Sequence, residues 1–202
     1  MRRFFGSTAI LALALACALA LPVHSQDAKP TDKPDKADKQ EMKEEKAEGG
    51  VRAEILRQID DAQKKLLALA NTMPAEKYTW RPGQGVRSVG EVFAHVAGGN
   101  YFLPTLWGVR PPAGVDPRSF EKEGGDKTKT IENLKKSFDH ARQAIQSVPE
   151  ADLGKAAKIF DHEGTYREAF LLVASHAHEH LGQSIAYARM NSVVPPWSAG
   201  GQ

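Results

Sequence analysis

The sequence predicts an all-α protein, a four-helix bundle behind a signal peptide and a charged linker. Three observations carry that prediction. Four segments read as amphipathic helices, the first and third with apolar residues at steps of three and four, the spacing of one helix face. Two of the four begin with a capping box. No segment shows a convincing strand pattern, and the connections are mostly modest in length, so the four apolar stripes have only one another to bury against.

The chain opens with Met1-Arg2-Arg3 and a nearly uncharged apolar run from Thr8 to Leu21, followed by Pro22-Val23-His24-Ser25. A basic start, an apolar middle and small residues at Val23 and Ser25 make residues 1–25 a signal peptide, with cleavage expected after Ser25. The apolar run is shorter than the ~20 residues of a membrane span, so no stable span is expected in the mature protein. Retention of the segment as an anchor is the alternative reading. Cys17 is the only cysteine, and Ala14-Leu15-Ala16 before it is a poor lipidation signal. The mature chain therefore has neither a disulfide nor a thiol nucleophile. The location that follows is periplasmic or secreted.

Residues 26–50 hold eight acids and six lysines among Pro, Ala and Gly. Such a stretch cannot bury enough surface to fold and reads as a disordered linker. Residues 51–202, roughly 150, fit one domain. The net charge of +2 is spread along the chain, which gives no argument for nucleic acid. A small-molecule substrate is the expected partner, and a homodimer is left open.

The first helix is predicted over Arg52 to Met73, on the stripe Ile55, Ile59, Ala62, Leu66, Leu69 and Met73, with Pro74 to end it or to start a short turn. Residues 77–85 form a loop by their Pro and Gly content, with Tyr78 and Trp80 packed beneath it. Ser88-Val89-Gly90-Glu91 is a capping box that launches the second helix, which runs to about Leu106. His95 lies on it. Gly98 and Gly99 follow one turn later, at a cost of about 1 kcal/mol each against Ala, which space beside His95 or close helix packing would explain.

Trp107 to Asp126 is rich in Gly and Pro, a loop long enough to cover a site mouth, with no residue of it assigned. The third helix spans Thr130 to Val148, and His140, one position off its stripe, reads as a surface histidine. Ala151 to Gly164 is a connection with a short helical turn at Leu153 to Ile159 and an exposed His162. Thr165-Tyr166-Arg167-Glu168 is the second capping box and starts a helix to Met190. Pro195-Pro196 marks a tail that cannot continue it.

That last helix carries Ser175-His176-Ala177-His178-Glu179-His180-Leu181-Gly182-Gln183. At about 100° per residue, His176 and His180 stand one above the other, while His178 is turned by about 200° from His176. Histidines at i, i+4 are the helical half of a metal site. Bundles complete such sites from a facing helix, and His95 fits that role. Gln183 extends the same stripe, as a hydrogen-bonding residue behind the metal or toward substrate. Glu179 adjoins His180 but lies roughly 60–100° off the ligand face. Glu91 is one turn before His95 and is open to use by its capping box instead. Gln183 and Glu179 are the weak candidates for a catalytic role, and the general base is left unassigned.

Tyr78-Thr79-Trp80-Arg81-Pro82, then Ser88-Val89-Gly90-Glu91-Val92-Phe93-Ala94-His95-Val96, then His176-x-x-x-His180-x-Gly182-Gln183, with Ala188-Arg189-Met190-Asn191 and Val194-Pro195-Pro196-Trp197-Ser198 behind, resemble the DinB/YfiT-like superfamily. The resemblance covers essentially all of residues 51–197, in order and spacing. It implies a four-helix bundle with a divalent metal on three histidines, which by motif position are His95, His176 and His180. Leu181 stands where the family often has Arg, and an export signal departs from a largely cytoplasmic family. Three neutral imidazoles suit Zn, Ni or Fe and leave a coordination position open, the pattern of a catalytic site. The expected activity is metal-assisted hydrolysis of an unknown substrate. The alternatives are metal-dependent thiol S-transfer, which the resemblance also implies, and a non-catalytic metal-binding or stress-related bundle.

Overall fold

The computed structural model describes residues 49–198; the expected signal segment at 1–25 and nearly all of the expected linker at 26–50 lie outside the described residues. Four α-helices form the bundle: α1 (Gly50–Thr72), α2 (Val89–Phe102), α3 (Lys127–Gln146) and α4 (Tyr166–Met190). α1 begins at Gly50, just inside the predicted linker. Among the described residues no helix is long and apolar enough to cross a membrane.

The predicted stripes meet in one core. Ile59, Leu66 and Leu69 of α1, Phe93 and Val96 of α2, Leu134 and Phe138 of α3 and Phe170 and Val173 of α4 are all fully buried. Each such side chain contributes about 1.5–3 kcal/mol of transfer free energy. Tyr78 is core as expected, and its hydroxyl donates to Ala70 O at 2.7 Å. Trp80 is half-buried and packs edge-on against Tyr187.

The connectivity is not that of a simple up-and-down bundle. α1 packs against α4 and α3, and α2 packs against α3 and α4, so α1 and α2 stand diagonally across the core. The connection over residues 73–88 crosses that diagonal. It is pinned by Val89 N–H donating to Trp80 O and Gly90 N–H donating to Tyr78 O, each at 2.9 Å. This crossing sets α2 beside α4, which brings His95 to the face that carries His176 and His180.

The Ser88 capping box is complete: Ser88 Oγ accepts from Glu91 N, and Glu91 Oε2 accepts from Ser88 N at 2.7 Å. After α2 the chain tightens into a 3₁₀ turn, Leu103–Trp107. The long loop that follows contains a second 3₁₀ turn, Phe120–Glu123, laid against α2. A Cβ on Gly90 would stand 1.7 Å from Gly124 O, so the close approach of loop to helix requires glycine there. Gly98 serves the same loop, since its Cβ would stand 2.6 Å from Pro117 O.

Two expectations are corrected. The helical turn expected at Leu153 to Ile159 is instead β1 (Ala156–Ile159), paired antiparallel with β2 (His162–Thr165). The hairpin has no Asn-Gly turn and only Ala157 and Ile159 facing inward, so its local pattern is faint. Packing on α4 and on the Leu103–Trp107 turn holds it instead. The second capping box is only half made. Thr165 Oγ1 accepts from Glu168 N, but the Glu168 carboxylate turns to His162 Nε2 at 2.6 Å.

Candidate metal centre

His95 comes from α2, and His176 and His180 from two successive turns of α4. Each offers one ring nitrogen, and the three nitrogens lie within 4.8 Å of one another. Nε2 of His95 and Nε2 of His176 are 3.3 Å apart. Two metal–nitrogen bonds of about 2.0–2.1 Å at a tetrahedral angle set their nitrogens roughly 3.3 Å apart. The rings are tilted or edge-on to one another rather than stacked.

Glycine makes room for the cluster. A Cβ on Gly99 would stand 2.3 Å from Cε1 of His176. The space that the paired glycines of α2 provide is therefore divided, Gly98 for the loop and Gly99 for the ring of His176 rather than for a ligand beside His95.

The far nitrogens set the tautomers. His95 Nδ1 is 2.7 Å from Glu121 Oε1, and Glu121 is clasped by Arg87 through Nε at 3.0 Å and Nη2 at 3.1 Å. Burial pushes the Glu121 carboxyl up, but the Arg87 fork and His95 outweigh it, and the carboxyl stays below its ordinary value. An ionised carboxylate only accepts, so His95 donates from Nδ1 and keeps the Nε2 lone pair free. His180 Nδ1 is 2.8 Å from Gln183 Oε1, and Gln183 Nε2 donates to Tyr187 Oη at 3.0 Å. That oriented amide leaves Nε2 of His180 free in the same way. Gln183 thus stands behind the His180 ring.

Burial lowers the pKa of His95 despite the Glu121 hydrogen bond, and burial pushes that of His176 down to about 3, helped by the neighbouring His180 and His95. Both rings are neutral at neutral pH, the form that binds a metal. A folded-state pKa below the unfolded one, near 6.5, means that the stability these rings allow is present above about pH 6.5 and lost as pH falls. The metal-free chain is therefore expected to have a lower Tm at about pH 4.5 than at pH 7, and His176→Gln to show a smaller fall. Thermal melts at the two pH values check this.

The centre opens on a cleft of about 440 Å³ lined by His95, Gly99, His176, Phe102, Phe160, Arg118 and Glu121. Its volume suits a small molecule. Glu121 is the residue that sequence reasoning missed. It lies in the Gly- and Pro-rich loop, where no periodicity marks a position, and only the length of that loop signalled a role. Removing a partner of this kind weakens metal binding about 10–100-fold. Glu121→Ala is expected to do so for zinc, as competition with a chelating indicator would measure.

The remaining candidates fall outside the cluster. His178 points away, its Nε2 donating to Gln58 O at 3.1 Å, as the helix geometry requires. Glu179 is exposed and lines no part of the cleft. Glu91 is taken up by Ser88 N and by Arg81 Nη2 at 2.9 Å. His162 is exposed, as expected, and paired with Glu168. His140 corrects the surface assignment: it is half-buried against Tyr101, with Nε2 sealed from solvent and without a hydrogen-bond partner. Tyr101 also stacks on Phe120, so His140 and the turn that carries Glu121 pack on one ring.

A helical bundle with three clustered imidazoles, two of them oriented from behind, has the arrangement of a candidate bundle-borne metal centre. Comparison with known proteins gives the family. The model of the DinB superfamily matches residues 58–184, and the chain belongs to that superfamily. Among solved structures it is similar to a DinB-like protein from Bacillus cereus ATCC 10987, at 14% identity and a TM-score of 0.59 over 70% of this chain and 93% of that one. It is also similar to YfiT from Bacillus subtilis, a probable metal-dependent hydrolase with an unusual four-helix bundle topology, at 15% identity and a TM-score of 0.56 over 82% of this chain and 94% of that one. At these identities the likeness is one of fold. No curated protein matches the chain.

Proposed function

We propose that this chain is an exported metal-dependent hydrolase of a small-molecule substrate, with one divalent metal, Zn, Ni or Fe, on His95, His176 and His180. The observation that carries the reading is the convergence of three ring nitrogens beside an open cleft, with Glu121 and Gln183 fixing two rings from behind. The description of YfiT as a probable metal-dependent hydrolase supports it. The signal segment at residues 1–25 supports export, and the linker at 26–50 would set the domain apart from the export site.

A bound divalent metal supplies Lewis acidity, which polarises a carbonyl and acidifies a water. The chain's residues do the rest. Arg87 holds Glu121, Glu121 holds His95, and Gln183 with Tyr187 holds His180, so the ligands need not reorganise when charge develops. Glu121 is the one carboxylate among the residues lining the cleft. Arg87 and His95 already occupy it, which makes it a positioning residue rather than a proton acceptor. Phe102, Leu103 and Pro117 give the cleft apolar walls.

The test is a screen of esters and amides with the zinc-loaded full chain, before and after chelation, with and without an added thiol. Hydrolysis that is lost on chelation and restored by the metal bears the reading out. Turnover only with added thiol would replace it with thiol transfer. Metal binding without any turnover would leave a non-catalytic bundle.

A further inference from the structure

The cleft has a chemical polarity of its own, set by two features that the metal reading does not use. The first is Arg118. Its backbone N–H donates to Asp116 Oδ1, but among the described residues its guanidinium has no hydrogen-bond or ion-pair partner, although it lines the cleft. Glu121 is clasped by Arg87, and the Asp116 carboxylate, held by the Arg118 backbone N–H, forms no ion pair with the guanidinium among the described residues. An uncompensated cation on the wall of a cleft that ends at a metal favours an anionic guest.

The second feature is an aromatic wall. Phe102, at the end of α2, and Phe160, at the tip of the hairpin, are 44% and 57% exposed, and their rings lie 6.4 Å apart at 18°. Neither fills the core. Phe160 also has φ of 50°, in the left-handed region where glycine or asparagine is the ordinary choice for a hairpin tip. A bulky residue held there against its backbone preference points to a use for its side chain.

We propose that the cleft binds a small aryl carboxylate, with its ring on Phe102 and Phe160 and its carboxylate on Arg118, so that the natural substrate is an ester or amide bearing both groups. This rests on the hydrolytic reading and adds the class of molecule. The bond to be cleaved then lies toward His95 and His176, which line the same cleft.

The experiment is calorimetric titration of the full chain with phenylacetate, phenylacetamide and acetate, alongside measurement of zinc in each sample. Phenylacetate is expected to bind zinc-loaded wild type about tenfold more tightly than phenylacetamide, the equivalent of one charge-assisted contact, and more tightly than acetate. Arg118→Gln should erase the preference over the amide, and Phe160→Gly the preference over acetate, both with zinc content unchanged. Phe160→Gly relieves the backbone, so its Tm should not fall and misfolding cannot mimic the result. A carboxylate preference that survives Arg118→Gln but vanishes in zinc-free protein would assign the carboxylate to the metal and overturn the proposal. Equal binding of all three probes would overturn it as well. Zinc-free wild type that keeps both preferences would uphold the ligand class, while the hydrolytic reading stands or falls on the turnover screen, so the two failures are distinguishable.

Discussion

His176→Ala lowers the zinc affinity of the full chain by more than about 100-fold, beyond the loss expected from removing a partner behind a ligand. His95→Ala and His180→Ala do the same. Wild type is expected to carry about one metal ion per chain, because the three nitrogens cluster within 4.8 Å of one another. His178→Ala is the internal control, for His178 lies on the same helix only two residues from each ligand yet bonds to Gln58 O. Metal content by inductively coupled plasma mass spectrometry reads all five proteins. Equal loss in His178→Ala would show that the helix face is wrongly assigned.

Gly99→Ala separates the site from the fold. Within a helix the change from Gly to Ala is worth about 1 kcal/mol in favour of Ala. The three atoms nearest the new Cβ all belong to the ring of His176, with Cε1 at 2.3 Å and Nδ1 at 2.9 Å. A two-torsion side chain yields cheaply by rotating into the cleft, and in doing so it takes its nitrogen off the metal. The Tm of the metal-free variant is therefore expected to hold while zinc affinity falls about 10–100-fold. Melts and a chelator competition on the same samples check it. A loss of stability with zinc affinity intact would show that Gly99 serves helix packing instead.

The parts of the structure legible in the sequence are those with a strong local code. The stripes of α1, α3 and α4 each carry a 3.6-residue period over many turns, and Ser88 with Glu91 forms the box its spacing predicts. The i, i+4 pair on α4 forces His176 and His180 together and His178 apart by helix geometry alone. The hairpin was hidden because each strand spans only four residues and its tip is Phe160-Asp161, so tertiary packing decides it. Glu168 had two possible partners at short range, Thr165 N and His162, and the hairpin decided between them by bringing His162 close. Glu121 was hidden because its role depends on where a loop returns, which Gly90 and Gly124 fix by a backbone contact with no side-chain signature. His140 was misplaced because a position beside a stripe is exposed only if nothing packs there, and Tyr101 does.

The central claim, one metal on three histidines from two helices, is tested most directly by an anomalous difference map at the zinc edge from crystals of the zinc-loaded chain. The expected result is a single peak about 2.0–2.1 Å from Nε2 of each of His95, His176 and His180. A peak on other side chains, or none at this cluster in crystals that contain zinc, would contradict it.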